Sequence, residues 1–448
     1  MTETVLVIGG GLAGVACARH LGSRGIDVTL VDRNDFNQFQ PLLYQVASSQ
    51  LPAEDIARPH RTIFKDQPCV HVVTSPVVGV DLATRSATLV DGRTLRGSHL
   101  VLAAGAQPNF FGIPGAAEHA FPLYSVPDAE RLRLHLQALL RDAMAEPRSP
   151  APGLVDVVVV GGGPTGVETT GALSELMLAL SETGRLRTAG QVTLVDLATT
   201  LLGQFSDKAH HYALEKLTQA GAHVRLGVGV TSVHHDRVVL GDGSTIATHT
   251  VVWAGGESGA AIAADSVAAT GRGGRIDVGR DLSVPGSPRT YAVGDVANIP
   301  SGDGPRDGAL PQLGSVAQQS GRWAAMNIVR DLRGEVAEPF EYRDKGIMAM
   351  IGRNAAVAEV GRHRHTVEGP IAFAAWLGVH ASLLSGVHSR TDAFLEWAWD
   401  YFDRDHAAIV EATTTPRRYA WADHGEDTPH IVLDDVRDTE PTTITDSV

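Results

Sequence analysis

At 448 residues the chain has the length of about three domains and ample material for a buried core. Its 51 acidic against 37 basic residues give a net charge of −14, which argues against nucleic acid as a partner. Two cysteines, Cys17 and Cys69, form no CxxC or CxxxxC pair, so neither a redox-active dithiol nor a disulfide framework is indicated. The opening MTETVLVIGGG has no basic leader and its apolar run ends after four residues, so no signal peptide is expected and the protein should fold in the cytoplasm.

The first predicted elements are a buried strand at Val5 to Ile8, a glycine loop and a helix. Gly9, Gly11 and Gly14 form GxGxxG, with Leu12 and Ala13 inside the loop and Val15, Ala18 and Leu21 at helical spacing after it. A second apolar run, Val28 to Val31, ends at Asp32 and Arg33. The glycines let backbone amides approach a pyrophosphate at a helix N-terminus, and the closing acid suits the adenosine ribose hydroxyls. A glycine-rich turn alone does not account for that acid.

The pattern recurs. Val157 to Val160 leads into Gly161, Gly163, Pro164, Thr165 and Gly166, and VTLVD closes a later strand at Asp196. The wider gap from loop to acid calls for a longer helix or an inserted turn around Leu180 to Gly190. An acid here bonds a free 2′-hydroxyl and repels a 2′-phosphate, which favours NADH over NADPH. Both loops are complete, so each should hold a dinucleotide.

Two later segments indicate which is the flavin loop. LVLAAG, with Ala104 and Gly105, is where a chain leaves one nucleotide domain, and TYAVGDVAN carries Gly294-Asp295, where flavoproteins of this build return to it. The expected organisation is α/β, two Rossmann-like domains with the NADH domain inserted into the FAD domain. Residues 1–120 and 275–345 form the FAD domain, 150–272 the NADH domain, 346–415 an amphipathic helical region for acceptor, membrane or dimer contacts, and 416–448 an acidic, disordered tail. From Asp423 to Val448 there are eight acids and one Arg.

At this point the chain resembles the type II NADH dehydrogenases, single-subunit NADH:quinone oxidoreductases, over roughly residues 4 to 410. The most specific stretch is FQPLLYQVA within Phe36 to Ile63, joined by NFFGIPG, GGGPTGVE, TVVWAGG, DLSVPG, AVGDVA and YRDKGIMAMIG. The resemblance implies FAD as cofactor, NADH as substrate, a quinone acceptor, no proton pumping, a homodimer and peripheral membrane contact. It implies no metal, and no ligand spacing is seen; the paired histidines read as surface residues. It places Gln40, Pro41 and Leu42 near the flavin, Val78 and Gly255 among the cofactor contacts, and Asp295 on the ribityl chain. Glu168 corresponds to the family's active-site glutamate, near the nicotinamide and in proton handling; the alternative is a first-turn acid complementing the helix dipole. Lys345 is open between a cation near the cofactor and a surface salt bridge.

Two departures fall on the acceptor side. Where the family has A-Q-x-A-x-Q, this chain has GSVAQQ, so Gly314 and Ser315 replace Ala-Gln while Ala317 and Gln319 match. Gln319 is thereby the implied quinone-side residue, and Ser315 either touches the flavin edge or solvates a turn. The second is FLEWAWDYFDRD, Phe394 to Asp405, at the place of the family's membrane foot. On a helix, Asp392, Glu396, Asp400 and Asp403 share one stripe and the aromatics cover most of the rest. An anionic stripe lacks the attraction to lipid worth about 1 kcal/mol per basic residue, so any bilayer contact should be weak. The uncharged stretch Gly369 to Ser389 carries too many Gly, Ser, Pro and His residues for a membrane span.

Overall fold

The computed structural model describes residues 4–383 apart from 146–152, 188–189, 267, 303–307 and 362–363, and beyond them only the strand pair Tyr419–Ala420 and His430–Ile431. The expected FLEWAWDYFDRD helix and the acidic tail lie outside the described residues.

Two five-stranded parallel sheets carry the architecture. In the first, the order is Thr290–Ala292, His99–Leu102, Val5–Ile8, Val28–Asp32 and Val70–Thr74. In the second it is Ala120–Pro122, Thr250–Trp253, Val157–Val160, Val192–Asp196 and His223–Leu226. Each central strand, VLVI or VVVV, is buried along its whole length, as a parallel strand covered on both faces must be. The α/β reading with two Rossmann-like sheets therefore holds. The strand Thr290–Ala292 lies beside His99–Leu102, so the chain returns to the first sheet after completing the second. An antiparallel pair, Ala106–Pro108 with Glu257–Gly259, links the two units at both passages.

The loop helices differ in length. Leu12–Gly22 has 11 residues and Pro164–Glu182 has 19, which takes up the wider gap between the second loop and its acid. Helix Gly314–Leu332 packs on Leu12–Gly22 through small residues: a Cβ on Gly321 would meet the Ala13 carbonyl at 2.0 Å. Ser315 thus stands in the first turn of a helix rather than in a solvated loop.

Residues 346–383 do not begin as helix. They form an antiparallel sheet of Ile347–Gly352, Ala355–Val360 and His365–Glu368, followed by helix Pro370–Leu383. The local cause is Asn354 at φ 58° between two apolar runs, a turn that reverses the chain after the bulge at Met350/Gly352. Among the described residues no helix is long and apolar enough to cross a membrane.

Candidate active site

Both glycine loops are built alike. Gly9 and Gly161 have positive φ, and a Cβ on Gly14 or Gly166 would lie 1.8 Å from the carbonyl oxygen of Gly9 or Gly161 respectively. Only glycine allows each helix to come this close to its strand. By contrast, a Cβ on Gly11 or Gly163 would meet nothing within 4 Å, so space lies in front of each helix N-terminus. The closing acids are tied to their loops: Asp32 accepts from the Gly10 amide and from Asn34 N–H at 2.7 Å, and Asp196 accepts from the Gly162 amide and from Ala198 N–H at 2.8 Å.

Around the first loop the structure gathers the predicted contacts. Gly294, at φ 69°, approaches Ala13 and Ala317, and a Cβ on Gly314 would touch Leu12 at 3.0 Å. Gln40, Pro41 and Leu42 form a single 3-10 turn, with Leu42 fully buried. Gln40 hydrogen-bonds the Tyr124 hydroxyl, which also receives the Ala106 amide at 2.7 Å beside Gly105. Asp295 Oδ1 is buried and has no hydrogen-bond partner among the described residues. Burial pushes the Asp295 carboxyl up to about 6, against the pull of the Arg275 guanidinium. Glu257 is pushed up to about 7 by the protein packed around its carboxyl and then by Asp295. An orphaned carboxylate oxygen there, with the open cradle at Gly11, fits a ribityl hydroxyl and a pyrophosphate, so the residues present suit FAD.

The remaining predicted residues divide between the surface and the second loop, where a Cβ on Gly161 would lie 2.9 Å from Gly255 Cα. Arg33 and Val78 carry exposed side chains, Val78 at 58% exposure. Gly255 packs against the Trp253 ring, and Pro164 and Thr165 open the second loop helix. Lys345 is exposed, on a segment braced by the Arg364–Asp344 bridge at 3.0 Å.

The acceptor-side residues converge on one segment, 342–350. Glu168 is buried, 9% exposed, and its Oε1 accepts the Met350 amide at 3.1 Å. Desolvation lifts its pKa to about 8, although the Met350 amide and the Trp376 side chain favour the ionised form. A carboxyl in that setting is not an exposed first-turn acid. Gln319 donates to the Arg343 carbonyl at 3.1 Å and accepts the Arg343 amide at 3.0 Å, so both ends of its amide are engaged. Ser315 bonds the Tyr342 hydroxyl at 2.8 Å.

Sequence reasoning passed over the surroundings of Glu168. Tyr44 and Gln45 bond each other at 3.2 Å, and Tyr44 also reaches Met350 Sδ at 3.2 Å. Trp376, fully buried, has its ring stacked on His380 at 3.9 Å and its edge near Tyr44. Burial drives His380 down to about 4, so it is neutral. Tyr44 and Gln45 stand inside the quoted FQPLLYQVA run, but Trp376 and His380 sit in a helix whose sequence gives no sign of which partner it covers.

The two parallel sheets and the paired glycine loops mark the class of two-dinucleotide flavoproteins. Residues 3–321 match the family model described as pyridine nucleotide-disulphide oxidoreductase. Two curated relatives from Mycobacterium tuberculosis are each described as a type II NADH:quinone oxidoreductase. Ndh is 33% identical, covering 88% of this chain and 87% of its own length; NdhA is 32% identical, covering 93% and 90%. The solved NDH2 of Plasmodium falciparum in complex with NADH shares the fold at TM-score 0.81 and 17% identity, over 91% of this chain and 100% of that one. The chain belongs to the pyridine nucleotide-disulphide oxidoreductases and, within them, to the type II NADH:quinone oxidoreductases.

Proposed function

We propose that the chain oxidises NADH on FAD and passes the electron pair to a quinone without pumping protons. The observation that carries this reading is two glycine loops of one geometry, each tied to its own carboxylate, in a chain without a cysteine pair to take electrons onward. When bound, FAD supplies the two-electron chemistry, accepting the hydride of NADH and delivering the pair to the acceptor.

The residues bind, orient and move protons. Gly11 and Gly14 would bring the Leu12–Gly22 helix N-terminus to the FAD pyrophosphate, Asp32 would hold the adenosine ribose, and Asp295 the ribityl chain. Gly163, Gly166 and Asp196 do the same for NADH, and the Asp196 carboxylate repels a 2′-phosphate. The buried Tyr44–Trp376 surroundings keep water from Glu168. A quinone taking two electrons needs two protons, and Glu168, raised to about 8, is protonated at neutral pH and can give one. Its Oε1 is held by the Met350 amide, which fixes the carboxyl in place.

One observation favours a second reading, a soluble acceptor such as a redox protein, oxygen or a biosynthetic quinone. The Gln319 amide, the implied quinone contact, is closed on the Arg343 backbone. We further propose a peripheral position on the cytoplasmic face of a membrane and a homodimer. Support comes from helix Pro370–Leu383, whose outer side shows Ile371 at 74% and Val379 at 40% exposure. Steady-state NADH oxidation with a short-chain quinone, with oxygen and with a ferredoxin tests the reading. Turnover with quinone is expected; flavin reduction by NADH with no quinone turnover would overturn it.

A further inference from the structure

The two loops differ at one point that the shared glycine geometry hides: what holds the carbonyl of the second glycine. In the first loop, His60 Nε2 lies 3.0 Å from the Gly10 oxygen and Asn37 Nδ2 donates to the same oxygen at 2.9 Å. Both side chains are buried, His60 completely and Asn37 to 5% exposure, so water does not compete for this carbonyl. In the second loop the Gly162 oxygen accepts a main-chain amide, Leu202 N–H at 2.7 Å.

A carbonyl only accepts, so His60 donates to it through an Nε2–H. The other ring nitrogen, Nδ1, is buried and has no partner among the described residues, so the ring is held at this loop through its Nε2 bond. The Gly10 oxygen and the Gly11 N–H belong to one planar trans peptide and point in opposite directions. Two donors fixing the oxygen from behind therefore aim the Gly11 N–H forward, toward the open cradle at the helix N-terminus. The Gly10 amide, held by Asp32, fixes the preceding peptide in the same way.

We infer that His60 and Asn37 are positioning residues for the flavin: they orient the Gly11 amide that meets the FAD pyrophosphate and so retain FAD as a resident cofactor. The inference rests on the reading that the first loop binds FAD. Neither residue touches the reacting atoms, so NADH affinity is set elsewhere. His60→Gln keeps a donor for the Gly10 oxygen, whereas His60→Leu removes it at similar volume.

The test is the rate of FAD release from the purified holoprotein, followed by the gain of flavin fluorescence on dilution, together with the thermal midpoint of the apoprotein. His60→Leu and Asn37→Ala should each speed release by roughly tenfold, the span of one hydrogen bond. The apoprotein midpoint should stay near that of the wild type, and His60→Gln should restore most of the retention. Unchanged release from His60→Leu would overturn the inference. So would release that rises only in step with a falling apoprotein midpoint, with Gln no better than Leu. A wild-type chain that takes up no FAD would instead overturn the reading beneath it.

Discussion

The two phosphate loops share their glycines, their strand order and their closing acids, yet they are braced differently. The first is held by buried side chains from outside the loop, His60 and Asn37, and faces a carboxylate with an orphaned oxygen, Asp295. The second is held by its own neighbouring turn at Leu202, and no buried His or Asn stands behind Gly162 among the described contacts. On the proposed assignment the difference teaches that one motif can serve a resident cofactor and an exchanging substrate when the surroundings of the loop differ.

Substitution in the open cradles breaks the comparison most strongly. Because a Cβ at Gly11 or Gly163 meets nothing, valine there should leave the fold intact and block only the phosphate. Gly11→Val is expected to yield a folded, colourless protein. Gly163→Val should stay yellow while its KM for NADH rises on the order of a hundredfold, about 2.7 kcal/mol. Flavin absorbance and NADH kinetics on both variants check this, and a colourless Gly163→Val would reverse the assignment.

Next in size is Glu168→Gln, expected to slow quinone turnover by about tenfold to a hundredfold with FAD still bound, the range of a lost general acid. In the wild type, turnover should fall as pH rises through about 8, where the Glu168 proton is lost, and the Gln variant should lack that limb. Stability follows the same group. Its folded pKa is raised, so its contribution is full below the ordinary 4.5 and is lost as pH rises to about 8. The Gln variant should therefore gain on the wild type in melting temperature across that window.

Smaller effects sharpen the second loop and the acceptor side. Asp196→Asn should narrow the preference for NADH over NADPH by roughly tenfold, read as a ratio of kcat/KM values. Ser315→Ala removes only the bond to Tyr342 and should lower stability by about 1 kcal/mol, with flavin content unchanged.

Much of this was legible in the chain. Val5 to Ile8 and Val157 to Val160 announce buried parallel strands, and glycine spacing with Asp32 and Asp196 announces two loops of one geometry, because backbone approach leaves a fixed sequence pattern. The antiparallel sheet at 347–368 was not seen, since its signal is a single Asn354 at positive φ inside a stretch that also suits a helix. His60 and Asn37 escaped notice because their roles depend on contacts across 50 and 27 positions. Trp376 and His380 escaped for the same reason: burial on a distant helix face has no local spacing.

The most direct test is the visible spectrum of the purified chain after exhaustive dialysis, taken without oxygen. The flavin band should survive dialysis, bleach on addition of one equivalent of NADH, and return when a soluble quinone is added. A chain that emerges colourless, a band that NADH leaves intact, or a bleached band that quinone does not restore would contradict the account.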